Sequence, residues 1–248
     1  MHGPGEVTQL LRGMRNIEQI KMGYHASGQF RSPPPRLRIG PQIQLRQITS
    51  LTVTDMNASL DYAAPGPSLL RALSQFQTPN LQFLEILSVE ARLWAPFVSL
   101  LGISNAPLHS LYLRGPRGDA HTPTIFTVAP LREFLEVVPS LRKLCVQGSL
   151  ASVATVLDMQ LNPNVCPRLE RVIFEGKSNW VSEENIISYL SKAIASRSIL
   201  EAQDDSEGGR VWLKEVVFRK YMDSAEENKC RKLCLRLKKQ HLNILFLA

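Results

Sequence analysis

The sequence predicts an α/β solenoid: one curved parallel sheet of about eight strands, with helices packed on its convex side. Three observations predict it. Eight segments place apolar residues at positions one, four and six: Ile17/Ile20/Met22, Ile48/Leu51/Val53, Leu81/Leu84/Ile86, Leu108/Leu111/Leu113, Leu141/Leu144/Val146, Leu169/Val172/Phe174, Leu213/Val216/Phe218 and Leu242/Leu245/Leu247. Their first positions lie 31, 33, 27, 33, 28, 44 and 29 residues apart, so six of the seven gaps fall between 27 and 33. The segments also share boundaries. Pro79, Pro107, Pro139 and Pro167 stand one or two residues before four of them, and Gly115, Gly148 and Gly176 follow three of them by two residues. Breakers before a short run and turn residues after it delimit a strand.

Helical patterns separate the strands. Ser68 to Phe76 reads as one short helix, and Pro130 to Val138 as another with proline at its first position. Ser149 to Leu161 carries Leu150, Val153, Val156 and Leu157 at helical spacing, and Ser182-Glu183-Glu184 opens a longer helix with Ile186, Ile187, Leu190 and Ile194. Ser224-Ala225-Glu226-Glu227 has capping-box spacing. The acidic, glycine-containing stretch 201–210 in the 44-residue gap reads as a flexible loop insertion.

Strand–helix units of this length imply parallel strands joined by crossovers. One unit cannot bury its apolar face alone, whereas stacked neighbours build a continuous core. A doubly wound sheet is the alternative, but its strands are apolar on both faces. Here the intervening positions read Gln19/Lys21, Ser50/Thr52/Thr54, Ser110/Tyr112/Arg114, Lys143/Cys145/Gln147, Arg171/Ile173/Glu175 and Glu215/Val217/Arg219. One face is therefore expected to pack and the other to face water, over a single irregular solenoid spanning residues 1–248.

Composition narrows the function classes. The 248 residues are 44% apolar, 21% charged and 7% aromatic, a globular balance. No apolar run approaches the roughly 18 to 20 residues of a membrane helix, so no membrane association is expected. The first residues lack a charged-then-apolar leader, which points to an intracellular protein of cytoplasm or nucleus. Cys145, Cys166, Cys230 and Cys234 make no disulfide framework for a chain this long and are read as reduced. The net charge is +7, with seven basic residues and one acid (Glu18) between Arg12 and Arg46. Such a bias favours acidic partners.

The LxxLxL runs followed by a turn and a helix, in units near 28 residues, resemble a leucine-rich-repeat protein. The irregular unit length and the lead-ins TPNLQFLEI, APLHSLYL, VPSLRKLCV and CPRLERVIF are similar to the repeat regions of fungal F-box-like proteins, from about Val7 to Leu247. The resemblance implies protein–protein recognition, with substrate choice for an SCF-type ubiquitin ligase as its use. No F-box-like helical segment is found before the repeats, so an SCF adaptor is a partner only if an F-box is supplied elsewhere.

Chemistry has little support. His2, His25, His109, His121 and His241 are scattered, and Cys230/Cys234 share an apolar helix stripe with Leu233 and Leu237, so no metal site is expected. Gly102-Ile103-Ser104-Asn105-Ala106 misses a nucleophile elbow at its last position. His109 and Ser110, near Asp119, point to opposite sides of a strand. Gly176-Lys177-Ser178 lacks the upstream glycine of a phosphate loop, since Arg171 stands there. No catalytic residue, cofactor or enzyme activity is expected. Nucleic-acid binding is the rival reading, through the Arg12–Arg46 stretch and the face formed by Lys229, Lys232, Arg236 and Lys239. That face has no aromatic residue for stacking, so nucleic acid is the less favoured partner. The stiff segment 30–36 lacks PxxP.

The water-facing strand positions remain. Across successive strands they form rows, and Phe83, Glu85, Tyr112, Arg114, Lys143, Arg171 and Glu175 make the expected partner-binding set on the concave face. Aromatic and arginine side chains carry much of the energy of protein interfaces. The last strand, apolar on both faces, is expected to make dimer contacts or to be continued.

Overall fold

An apolar triple at positions one, four and six marks each short segment, and each segment becomes a strand. The computed structural model describes residues 17–24, 43–55, 73, 76–87, 94–114, 128–147, 165–175, 213–219 and 243–247. In chain order the elements are β1 (Gln19–Tyr24), β2 (Ile43–Gln44), β3 (Ser50–Asp55), β4 (Phe76–Gln77), β5 (Phe83–Leu87), α1 (Ala95–Ser104), β6 (Ser110–Arg114), α2 (Val128–Glu136), β7 (Lys143–Gln147), β8 (Arg171–Glu175), β9 (Glu215–Arg219) and β10 (Asn243–Leu247).

Eight of the strands form one sheet in the order β1-β3-β5-β6-β7-β8-β9-β10, and every neighbouring pair is parallel. Sequence order and spatial order coincide. β2 and β4 pair separately, with Ile43 opposite Phe76. The expected curvature is corrected: the sheet is open and not curled, with β1 and β10 at its edges. Curvature depends on the bulk behind the strands, since a helix is about 10 Å across and strands lie about 4.8 Å apart. Among the described residues α1, α2, Leu73 and the β2–β4 pair stand there.

Register aligns the apolar positions into two back rows. One contains Leu51, Leu84, Leu111, Leu144, Val172 and Val216, and the next contains Val53, Ile86, Leu113, Val146, Phe174 and Phe218. All are buried in one core. Phe174 stacks on Phe218 with ring centroids 5.5 Å apart. Both helices join the same core through Phe97, Leu100, Leu101, Leu131, Phe134 and Leu135, and Trp94 meets the edge of Phe134 at 5.7 Å. The described helices therefore cover one face, as the polar alternation requires.

The prolines have a specific place. Val138-Pro139-Ser140-Leu141 and Cys166-Pro167-Arg168-Leu169 are turns closed by a hydrogen bond from the leucine N–H to the carbonyl three residues back, and Thr78-Pro79-Asn80-Leu81 is a third. Proline at the second turn position fixes the backbone angle the turn requires. Past each turn, one carbonyl accepts two successive N–H groups of the next unit. Glu18, Thr49, Gln82, His109, Arg142 and Glu170 all do so, at 2.8–3.1 Å. Six junctions thus share one hydrogen-bond pattern, which keeps the strands in step.

Some helical expectations shift. The helix expected over 130–138 is α2, two residues earlier. The helix expected over Ser68–Phe76 does not reach its end, because Phe76 is paired in β4 and buried. α1 was not foreseen. Its residues APFVSLLGIS are apolar nearly all round, leaving no periodic stripe to see. The helices expected at 149–161, from Ser182 and from Ser224 lie outside the described residues, as do the loop 201–210, the segment 30–36, Cys230/Cys234 and the Lys229–Lys239 face. Among the described residues no helix is long and apolar enough to cross a membrane.

Candidate functional site

The front face of the sheet is built from the residues that alternate with the core. Pleating sends them away from the helices, and the register sets them in three rows. Ser50, Phe83, Ser110, Lys143, Arg171 and Glu215 form the first. Lys21, Thr52, Glu85, Tyr112, Cys145, Ile173, Val217 and Leu245 form the middle row. The third holds Thr54, Leu87 and Arg114 on one side, and Gln147, Glu175 and Arg219 on the other. All seven sequence-predicted site residues lie on this face, on four neighbouring strands.

The face has two characters. Over β5 and β6 it is half-open: Phe83, Glu85, Leu87, Tyr112 and Arg114 are all partly exposed, whereas Leu84, Ile86, Leu111 and Leu113 behind them are sealed. Over β7 to β9 the middle row turns apolar and closes. Cys145 and Ile173 are 2% exposed and Val217 is 0% exposed, making a second, smaller core against which Tyr112 and Leu245 pack. The expectation that the whole front faces water is corrected here. Apolar side chains at those three positions lower their free energy by leaving water, so this half behaves as interior.

Polar groups fence that strip. Tyr112 reaches past Cys145 on the intervening strand and donates its hydroxyl to Glu175 Oε2 at 2.5 Å. The other carboxylate oxygen of Glu175 accepts from Arg219 at 3.1 Å. On the opposite side of the strip Arg171 pairs with Glu215. In the open half, Thr52 donates to Glu85 at 3.0 Å. Every front-face glutamate on β5, β8 and β9 thus has a partner inside the sheet, while Lys143 stays exposed beside Ser110 and Arg171.

Titration follows from this packing. Burial pushes the Cys145 thiol up to about 12, with the Glu175 charge adding to it. Tyr112 is also held well above its ordinary range, first by burial and then by its bond to Glu175, which favours the protonated hydroxyl. Cys166 lies behind the sheet. Its burial pushes it up to about 12, and its thiol donates to the Leu135 and Val138 carbonyls at the end of α2. Thiols held this high are protonated at neutral pH and are poor nucleophiles.

Sequence reasoning put Tyr112, Glu175 and Arg171 in the set but left out Arg219, which pairs with Glu175, and Glu215, which pairs with Arg171. Arg219 and Glu215 occupy matching positions one unit later, and counting positions from the shared apolar triple would have found both. The closing of the middle row was readable in the same way, from Cys145, Ile173 and Val217 in one register. Among the described residues no three His, Cys, Asp or Glu side chains come together as a metal cluster. An apolar cavity of about 10 Å³, bounded by Ile20, Met22, Leu45, Leu51, Phe76 and Leu100, has room for no more than a water. No protein-family model matches the chain, and no curated protein matches it as a relative.

Proposed function

We propose that this protein is a non-enzymatic recognition module, a leucine-rich-repeat-like solenoid that binds a protein partner through the front of its sheet. One observation carries this reading. On β5 and β6 an aromatic, an aliphatic, a phenolic and a guanidinium side chain (Phe83, Leu87, Tyr112, Arg114) stay partly exposed together on a rigid parallel sheet. Apolar groups grouped on a fixed face, with arginine and tyrosine among them, are the composition of an interface core. The shared turn and carbonyl pattern at successive units supports the repeat architecture. The backbone is already in place, so binding would order few groups.

The use we favour is choosing substrates for an SCF-type ubiquitin ligase inside the cell, with the adaptor engaged by an F-box supplied elsewhere. The test is affinity purification of the intact protein and of a Phe83→Ala/Arg114→Ala variant, with bound proteins identified by mass spectrometry. Partners held by the front face should lose about 2 kcal/mol or more of binding in the variant. A bound set unaltered by the double substitution would remove the front face as the contact surface. Co-purification of an SCF adaptor tests the ligase assignment separately.

A further inference from the structure

We infer that the front face binds an extended peptide segment carrying an apolar side chain and a carboxylate three residues apart, the apolar group on Phe83 and the carboxylate on Lys143. This rests on the proposed recognition role and specifies its ligand.

Charge complementarity argues for the carboxylate. The glutamates of the described front face are engaged internally: Glu85 by Thr52, Glu175 by Tyr112 and Arg219, Glu215 by Arg171. Among the described residues no carboxylate pairs with Lys143, which is exposed. Its row neighbours are Ser110, a neutral hydrogen-bonding group, and Arg171, a second cation. Arg142 immediately precedes it and is exposed as well. A carboxylate arriving at Lys143 finds an ammonium donor with no competing carboxylate among the described residues, Arg171 being already paired with Glu215, whereas a cation would be repelled.

Spacing argues for the apolar group. Phe83 and Lys143 are in the same row with only β6 between them, so they are about 10 Å apart. A segment in the extended polyproline II conformation advances about 3.1 Å per residue with about three residues per turn, so side chains three apart lie on one side and span that gap. Between the two anchors stands the small side chain of Ser110, and alongside, two residues further on β6, is the ring of Tyr112, whose hydroxyl is already committed to Glu175. The ring therefore offers area rather than a hydrogen bond. Glu85, beside Phe83 on β5, repels an acid at the Phe83 end and so sets which end of the motif lies where.

The test is selection from a phage-displayed library of random twelve-residue peptides on the full chain. Synthetic versions of the selected peptides are then titrated by calorimetry. The expected enrichment is an apolar residue three positions from an Asp or Glu. Phe83→Ala and Lys143→Glu should each lower affinity at least ten-fold, with circular dichroism and the thermal midpoint confirming the fold. Replacing the peptide's acid by lysine should restore binding to the Lys143→Glu variant and not to Phe83→Ala. Selected peptides lost on Phe83→Ala but indifferent to Lys143→Glu would overturn the carboxylate inference while leaving the recognition face standing. Failure to select any peptide that depends on either residue would overturn both. Tighter, Lys143-dependent binding of a twenty-residue oligothymidylate than of any peptide would replace the peptide with nucleic acid.

Discussion

The two halves of the front face share backbone, register and hydrogen-bond pattern, yet differ in what they do with the middle row. Over β3 and β5 that row reads Thr52 and Glu85, polar groups bonded to each other, with Glu85 partly exposed, and Tyr112 on β6 borders the sealed strip. Over β7 to β9 it reads Cys145, Ile173, Val217 and is sealed. The back rows show no such division and are apolar throughout. Stacking therefore constrains only one side of each strand. The other is free to vary, and here the chain closes half of it with side chains and leaves half available. The closed half supplies rigidity, since Tyr112, Glu175 and Arg219 tie three strands together across a buried strip.

That contrast can be broken most severely in the closed half. Val217→Asp places an unpaired carboxylate at a position with no exposure and should cost about 3–5 kcal/mol, read as a lower midpoint in chemical denaturation. The matching exchange in the open half, Glu85→Val, puts an apolar group in the same row and should cost only about 1 kcal/mol, for the hydrogen bond lost from the Thr52 hydroxyl. Equal losses from both would mean that the row is not divided.

How much of this was legible depended on how local the cause was. The eight main strands, their order of use and the packed face could be read, because one apolar triple per unit is enough to define a face and a register. The curvature could not, since it depends on how much bulk stands behind the sheet. β2 and β4 are two residues each and carry no period of their own. α1 hid behind uniform apolarity, although Pro96 near its start and Asn105 in the left-handed conformation at its end are ordinary helix punctuation. The seven residues of the candidate set share the front face, because register alone puts them there. What escaped was side-chain reach: sequence alternation says which way Tyr112 points, and not that it passes over one strand to bond with the next.

Alkaline pH should sharpen the comparison, since two of the three raised groups, Tyr112 and Cys145, belong to the closed half. Cys145 and Cys166 rise from the ordinary thiol value to about 12, and Tyr112 rises above its ordinary value near 10. In each case the unfolded chain releases its proton first. The stabilisation is complete below the unfolded pKa and is lost as pH climbs from about 9 toward the folded values. Each such group adds about 1.4 kcal/mol per pH unit to the decline. Cys145→Ala should flatten the slope of unfolding free energy against pH between 9 and 11 by about one proton. An unchanged slope would mean that this thiol is not sealed.

Removing the strap itself should have a smaller effect. Tyr112→Phe keeps the ring on the strip but deletes the donor to Glu175, which retains Arg219. A hydrogen bond to a charged acceptor contributes about 1.5–3 kcal/mol, and the partial exposure here places the expected loss at the low end. Phe83→Ala, on the open half, touches no such network and should leave stability nearly unchanged while acting on binding. The pair separates the half that holds the sheet from the half offered to a partner.

The smallest expected effects distinguish ion pairs by where they sit. Arg132 and Glu136 pair at 2.9 Å on α2, with side chains 60% and 45% exposed, so water screens both charges and two mobile chains must be ordered to meet. Arg132→Ala should cost no more than about 0.5 kcal/mol. Arg219 meets a Glu175 that is only 22% exposed and is already held by Tyr112, so much of the ordering is shared within the network. Arg219→Ala should therefore cost more, about 1 kcal/mol, and the Arg219 and Tyr112 substitutions should combine non-additively in a double-mutant cycle. Additivity of the two would mean that Glu175 holds its partners independently and that the closed half is not a single unit.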